Sequence, residues 1–205
     1  MPCYEINGVR PVVHPTAYVH PTAVLVGDVI VGPRCYVAPL ASLRGDFGRL
    51  ILEEGANLQD TCVMHGFPGA DTVVEKDGHI GHGAVLHGCR IGRNSLVGMN
   101  AVVMDNAVVG AESIIAACAF VKAGMDIPQR SMVMGTPARV VRQVSDQELK
   151  WKEGGTAQYH ELAVRSMQTM REVEPDTEVS AERQRMQWDS SLPMHQYKQS
   201  NSTDK

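Results

Sequence analysis

The sequence predicts an all-β solenoid followed by a short C-terminal α-helical segment. Three observations carry this. A six-residue unit, plain in VHPTAY-VHPTAV at 13–24, recurs along most of the chain. Its first position is always aliphatic or Met, from Val13, Val19 and Leu25 through Met64, Ile80 and Leu86 to Val109, Ile115 and Val121. Its fifth position is mostly small, as at Ala17, Cys35, Ala56, Cys62, Ala84, Ser95, Ala101 and Ser113. A short strand and a turn every six residues make flat faces that meet at corners. The first position fills a narrow interior, and the fifth sits where only a small side chain fits. Stacked coils then bury one continuous column. A β-sandwich would show period two with irregular loops, not a fixed period of six.

The repeat is interrupted in four places. Leu43 to Leu52 is nine residues, an excess of three around RGDFGRL. Met64 to Val74 is ten, an excess of four around HGFPGADT, and Leu86 to Ile91 is five, one short. After VKAGMDIPQRSMVMGTPARVVR the repeat stops. SDQE, Ser145 to Glu148, has the form of a capping box. It opens helical stretches through ELKWKEGG and TAQYHELAVRSMQTMREV, with a break expected at Gly154-Gly155. A solenoid needs a cover, so this helix is expected on the flank or end of the barrel. From Pro175 the chain turns polar and reads as an extended or disordered tail. The organisation expected is therefore a solenoid over 1–143, a helical segment over 144–174 and a tail over 175–205.

Composition limits the function classes. A net charge of −4 gives no reason to expect nucleic acid or an anionic membrane as partner. No apolar run approaches a membrane span, and the first residues lack a signal-peptide apolar region. The five cysteines include no CxxC pair, so reduced thiols and a cytoplasmic location are expected. Cys35, Cys62 and Cys118 fall at small or turn positions and read as inert packing groups. His14, His20, His79, His160 and His195 read as surface residues.

This pattern resembles the hexapeptide-repeat, left-handed parallel β-helix family. The resemblance implies a left-handed coil with three faces, three repeats per coil, and a homotrimer. On such a coil, the 22 residues from Met64 to Leu86 are one turn plus the four-residue insertion. His65 and His87, each at the second position of its repeat, then stack one coil apart on the same edge. His82, at a third position, lies on a different face. In a trimer the adjacent subunit can present its own His82 to the pair. That makes a three-histidine site with an open fourth position, the arrangement of catalytic zinc sites.

The neighbouring motifs RGD, NLQD, MHG and IGHGAVLHG resemble, in that order, the γ-class carbonic anhydrases and their relatives. The resemblance implies that His65, His82 and His87 hold the metal, Zn2+ with Fe2+ or Co2+ as alternatives. It implies that Arg44 and Asp46 bridge subunits beside the metal. Gln59 and Asp60 would sit next to the metal's water with Asn57 behind, so that Arg44, Asp46, Gln59 and Asp60 are the expected catalytic residues. One position departs: the carbonic anhydrases carry a glutamate used in proton transfer where this chain has Phe47. The loop after His65 also lacks their acidic shuttle. A phenylalanine makes the pocket mouth apolar and suits an acyl or aryl group, so Phe47 joins the other four as expected substrate contacts.

Closer still is the resemblance to the branch of this family found in phenylacetate degradation and in carnitine metabolism. It rests on HPTAVLVGDVIVG, ASLRGDFGRL, GANLQD, CVMHGFP, DTVVEKDGHIGHGAVLHG and VGMNAVVMDNAVVG, with SDQELKWK and VEPDTEV extending it into the C-terminal segment. It implies a metal-dependent acyl-CoA thioesterase acting on CoA esters of aromatic-ring catabolism. The alternatives are a γ-type carbonic anhydrase, a CoA-dependent acyltransferase, and a non-catalytic scaffold. GTPAR, Gly135 to Arg139, resembles the CoA-contacting segment of hexapeptide acyltransferases, but reads first as the exit turn of the solenoid.

Overall fold

The computed structural model describes residues 2–187 and 192–200. They form a parallel β-solenoid with one long helix laid along it. Strand partners such as Tyr18 and Tyr36, Leu96 and Ile114, and Ile114 and Met132 lie eighteen residues, or three repeats, apart. One face stacks seven parallel strands from Tyr18–Val19 to Ser131–Met134. A second stacks Val63–His65, Val85–His87, Val102–Val103 and Phe120–Val121 on Ser42–Leu52. The third stacks Thr72–Val74, Arg90–Ile91, Val108–Val109 and Asp126–Ile127 on that same strand. Ser42–Leu52 runs unbroken round a corner, which joins the second and third faces into one sheet.

The six-residue period has a backbone cause. Asn94, Asn100, Asn106, Glu112, Cys118, Gly124 and Arg130, six residues apart, all have φ between 54° and 67°. Each is the fourth residue of its repeat and sits third in a tight turn. The N–H of Ala101 closes such a turn on the carbonyl of Gly98, as Ala107 does on Met104. A positive φ at that place is the type II geometry, and Pro39-Leu40 supplies the proline it favours one residue earlier. The first positions point inward: Leu25, Leu43, Leu58, Met64, Ile80, Leu86, Ile91 and Ile115 are all fully buried. At the fifth position, Ser95, Ser113 and Ser131 form an internal ladder. Ser95 Oγ accepts from the Ser113 N–H at 3.1 Å, and Ser113 Oγ from the Ser131 N–H at 3.0 Å.

The interruptions are absorbed without loss of register. The excess around RGDFGRL stays in strand: pairing moves from Gly27–Gly45 to Val29–Leu50 across an irregularity. The excess after His65 leaves the barrel and returns at Thr72. GTPAR is the turn between Ser131–Met134 and Arg139–Gln143, which pairs antiparallel to it and ends the parallel stack.

Helix α1, Asp146–Thr169, starts at Ser145 with the expected capping box. It lies along the first face, over the outward column of Tyr18, Tyr36, Asn57 and His79. Tyr159 meets Tyr36 and His79 with ring centres 5.4 and 5.2 Å away. The expected break at Gly154-Gly155 does not occur. Lys152 and Thr156, on either side of the pair, are buried against the barrel, and this docking carries the helix through two poor helix formers. The tail read as extended or disordered contains a second helix, α2, Met194–Ser200. The Trp151 indole N–H donates to the Leu192 carbonyl, and Lys198 pairs with Glu148, which holds α2 beside α1. Residues 188–191 and 201–205 of that tail lie outside the described residues.

Three smaller expectations are corrected. His79 is not a surface residue, because α1 covers it. His160 is half-buried, with Nε2 2.9 Å from the Gly55 carbonyl. Cys118 is exposed at a turn, whereas Cys35 and Cys62 are buried and burial pushes their thiols up to about 12 and about 11. No helix of the described residues is long and apolar enough to cross a membrane.

Candidate metal centre and its surroundings

His65 and His87 end two adjacent parallel strands and are register partners. Met64 and Leu86 point into the core, so by strand alternation both histidines point out. His65 Nδ1 lies 3.1 Å from His87 Nε2. Thr72, fully buried, keeps this pairing in place where the inserted loop returns. Its hydroxyl donates to the His65 carbonyl at 2.8 Å and accepts from the Gly88 N–H at 3.1 Å.

Each of the three histidines expected as ligands faces a carboxylate. His65 Nε2 is 3.0 Å from Asp46 Oδ1 and from an Arg44 guanidinium nitrogen. His82 Nδ1 is 2.6 Å from Asp60 Oδ2. His87 Nδ1 bonds Asp105. At His82 and His87 the carboxylate on Nδ1 fixes the tautomer and leaves the lone pair of Nε2 free, the usual support of a metal-binding histidine, whereas at His65 Arg44 and Asp46 share the one nitrogen. Asp105 was missed in the sequence, although Leu86 pairs with Val103 one coil on, which brings Asp105, two residues later, to His87.

The donor set fits a divalent transition metal. Ring nitrogens 3.1 Å apart approach the edge of a tetrahedron around zinc, about 3.4 Å for Zn–N bonds of about 2.05 Å. No described group of three or more His, Cys, Asp or Glu side chains within this chain is arranged to hold a metal. His82 sits on a different corner, half-exposed, and no hydrogen bond links it to His65 or His87. The expected residues thus divide in two. Arg44, Asp46, Phe47, His65 and His87 share one face, while Asn57, Gln59, Asp60 and His82 belong to the coil edge beside α1.

Two aromatic rings flank the histidine pair. Phe47 is 62% exposed with its ring centre 5.4 Å from that of His65. Phe67, from the inserted loop, lies nearly parallel to His87 at 6.5 Å. A Cβ at Gly88 would come within 2.4 Å of the Phe67 ring, so glycine there admits the ring. Beside the histidines, Val63, Val85, Val102 and Phe120 form an outward apolar row in register.

Gln59 is buried, and its amide nitrogen lies 3.0 Å from Asn57 Oδ1 and 2.8 Å from His79 Nε2. Burial first, then the charges of Lys152 and His82, pushes the His79 imidazole down to about 3. It is therefore neutral near pH 7 and able to accept from Gln59. With both amide hydrogens engaged, Oε1 is the Gln59 atom left to bond a water or substrate.

Residues 88–123 match the family model described as bacterial transferase hexapeptide (six repeats). The chain is 58% identical over 186 residues to the carnitine operon proteins CaiE of Proteus sp. (strain LE138) and Salmonella newport (strain SL254), covering 91% of this chain and 94% of each relative. Among solved structures it is similar to a putative acetyltransferase of Bacillus cereus, 30% identical with a TM-score of 0.78, over 78% of this chain and 94% of that one. It is also similar to a hexapeptide transferase family protein of Anaplasma phagocytophilum, 32% identical with a TM-score of 0.77, over 80% and 96% of the two chains.

Proposed function

The chain belongs to the hexapeptide-repeat family of the carnitine operon protein CaiE, and from that premise we propose that it is an acyl-CoA thioesterase whose metal centre is shared between subunits of a homotrimer. The observation that carries this reading is the split histidine set. His65 and His87 converge to 3.1 Å on one face, His82 stands on another, and each has a carboxylate on one ring nitrogen. The outward apolar row beside His65 and His87 is suited to burial against a second copy. A divalent metal, Zn2+ or alternatively Fe2+ or Co2+, held by His65 and His87 of one subunit and His82 of the next, would supply a Lewis acid for water activation.

The chain's own residues do the rest. Gln59, its amide fixed by Asn57 and neutral His79, offers Oε1 to a hydrogen of the attacking water. Asp105 and Asp60 keep one nitrogen of His87 and of His82 free. Arg44, beside Asp46, places a cation where negative charge grows on the thioester oxygen. Phe47 and Phe67 exclude bulk water from one side. The water oxygen bonds to the carbonyl carbon, the C–S bond breaks, and the sulfur takes up a proton, giving the acid and free CoA. Cys35, Cys62 and Cys89 offer no alternative nucleophile, because all three are buried, with thiols pushed up by burial.

Aromatic acyl groups are the proposed substrate class, from the resemblance to the phenylacetic acid degradation protein PaaY and the two phenylalanines at the histidines. The transferase description of the family model and the Bacillus cereus structure favour acyl transfer as the second reading. Free CoA release from phenylacetyl-CoA in buffer, with and without amine acceptors, separates them. Hydrolysis predicts release without an acceptor, lost on chelation. Release only with an acceptor would establish transfer, and undiminished release by chelated protein would place the chemistry elsewhere. With Phe47 in place of a proton-transferring carboxylate, carbon dioxide hydration by the same preparation should be slow.

A further inference from the structure

A cleft of 540 Å³ runs between the first face of the barrel, α1 and the segment leading into α2. One end reaches Gln59 and His82. Its walls are mainly apolar, with Leu96, Trp151, Tyr159 and Leu192 among them. The Trp151–Leu192 hydrogen bond, 2.9 Å, ties the roof to α1.

Gly154 and Gly155 also line the cleft, in the middle of a helix of 24 residues. Glycine is a poor helix former, so such a pair needs a reason. Packing within the chain supplies none. A Cβ at Gly154 would meet nothing within 4 Å, and one at Gly155 would touch only His79, at an ordinary 3.9 Å. What the missing side chains leave is room. The walls favour an apolar occupant: buried Lys152 gives two of its three ammonium hydrogens to the Asp77 carbonyl and Asn94 Oδ1, at 2.6 and 2.7 Å, and Lys150, the other cation of the lining, is exposed.

We propose that this cleft receives the acyl group of the CoA thioester, an aromatic or extended aliphatic chain, with its carbonyl at the Gln59 and His82 end and Gly154-Gly155 setting the room available. This deepens the thioesterase reading and rests on it for the position of the carbonyl.

The test measures binding apart from turnover. In full-length protein with Trp188→Phe, the remaining Trp151 reports binding of non-hydrolysable thioether analogues carrying a phenylethyl or an ethyl group. The aromatic analogue should quench Trp151, and Gly154→Leu should reduce the preference for it over the ethyl analogue at least about tenfold. Gly154→Ala with Gly155→Ala should leave the melting temperature unchanged or raise it by a few degrees, because alanine favours the helix. A marked fall in melting temperature would show that the glycines serve packing. An unchanged preference in Gly154→Leu would show that the acyl group binds elsewhere. Either result overturns the proposal. Loss of preference without CoA release from the thioester would uphold the pocket and reject hydrolysis, whereas CoA release with an unchanged preference would do the reverse.

Discussion

Replacing Glu148 should free helix α1 from the barrel while leaving the barrel folded. Its side chain is 1% exposed and accepts from both terminal nitrogens of Arg142 at 2.8 Å, from Lys198 at 2.6 Å, and from the Ser145 N–H and hydroxyl at 3.0 Å. Arg142 and Lys198 are themselves about half exposed, so after Glu148→Ala they rehydrate and are not stranded. The cost is then the lost charge-assisted bonds, about 2 kcal/mol, and the lost half of the capping box, about 1 kcal/mol. A total of about 3 kcal/mol falls on α1 and α2, because the barrel's inward column makes no use of Glu148. The same contacts, Arg142 foremost, hold the carboxyl well below its ordinary 4.5. A depressed carboxyl stabilises above its unfolded value and loses that contribution as pH falls below it, so the wild type should loosen α1 on acidification below about 4.5. Native-state hydrogen exchange reads this directly: α1 amides should exchange faster in Glu148→Ala, and barrel amides should not. Equal acceleration in both, or none in α1, would refute the reasoning.

Leu40 is 62% exposed with φ 60°, a conformation that costs a branched side chain about 1 kcal/mol and that asparagine tolerates, so Leu40→Asn should raise the melting temperature by about 2–4 °C. A fall would mean that the side chain is needed at a contact outside the chain. Lys152 is buried, and burial pushes its amine down to about 7 from 10.5. The unfolded chain therefore binds the extra proton between those values, and stability should rise with pH across that window. Denaturation midpoints at about pH 7 and about pH 9 should differ more in wild type than in Lys152→Met; equal differences would show that Lys152 is not the group responsible.

The barrel was legible because its constraint is local and repeated. Each coil asks for the same aliphatic residue inside and a small or left-handed residue at the corner, so counting by six finds the core and counting by eighteen finds vertical neighbours. Corrected for the four-residue insertion, that count stacks His65 on His87, and on the next coil, where Leu86 pairs with Val103, it reaches the neighbourhood of Asp105. The helix side was harder to read. The buried stripe of α1 includes the polar residues Glu148, Lys152, Thr156 and Ser166, and carries little apolar periodicity. Gly154-Gly155 suggested a break because propensity alone cannot register the docking on either side of it. His79 looked like a surface group for the same reason, since only α1 encloses it. Phe67 reaches His87 from an inserted loop, whose path no repeat dictates.

Complementation between defective chains tests the shared centre most directly. His82→Ala and His87→Ala proteins, each purified, should bind little metal and release little CoA from phenylacetyl-CoA. Unfolded, mixed in equal amounts and refolded, they should form trimers in which about a quarter of interfaces join an intact His65–His87 pair to an intact His82. Bound metal and CoA release should return together to about that fraction of wild type. A mixture that stays as metal-free and inactive as its parents, or a His82→Ala protein that alone keeps full metal and activity, would contradict a centre built across subunits.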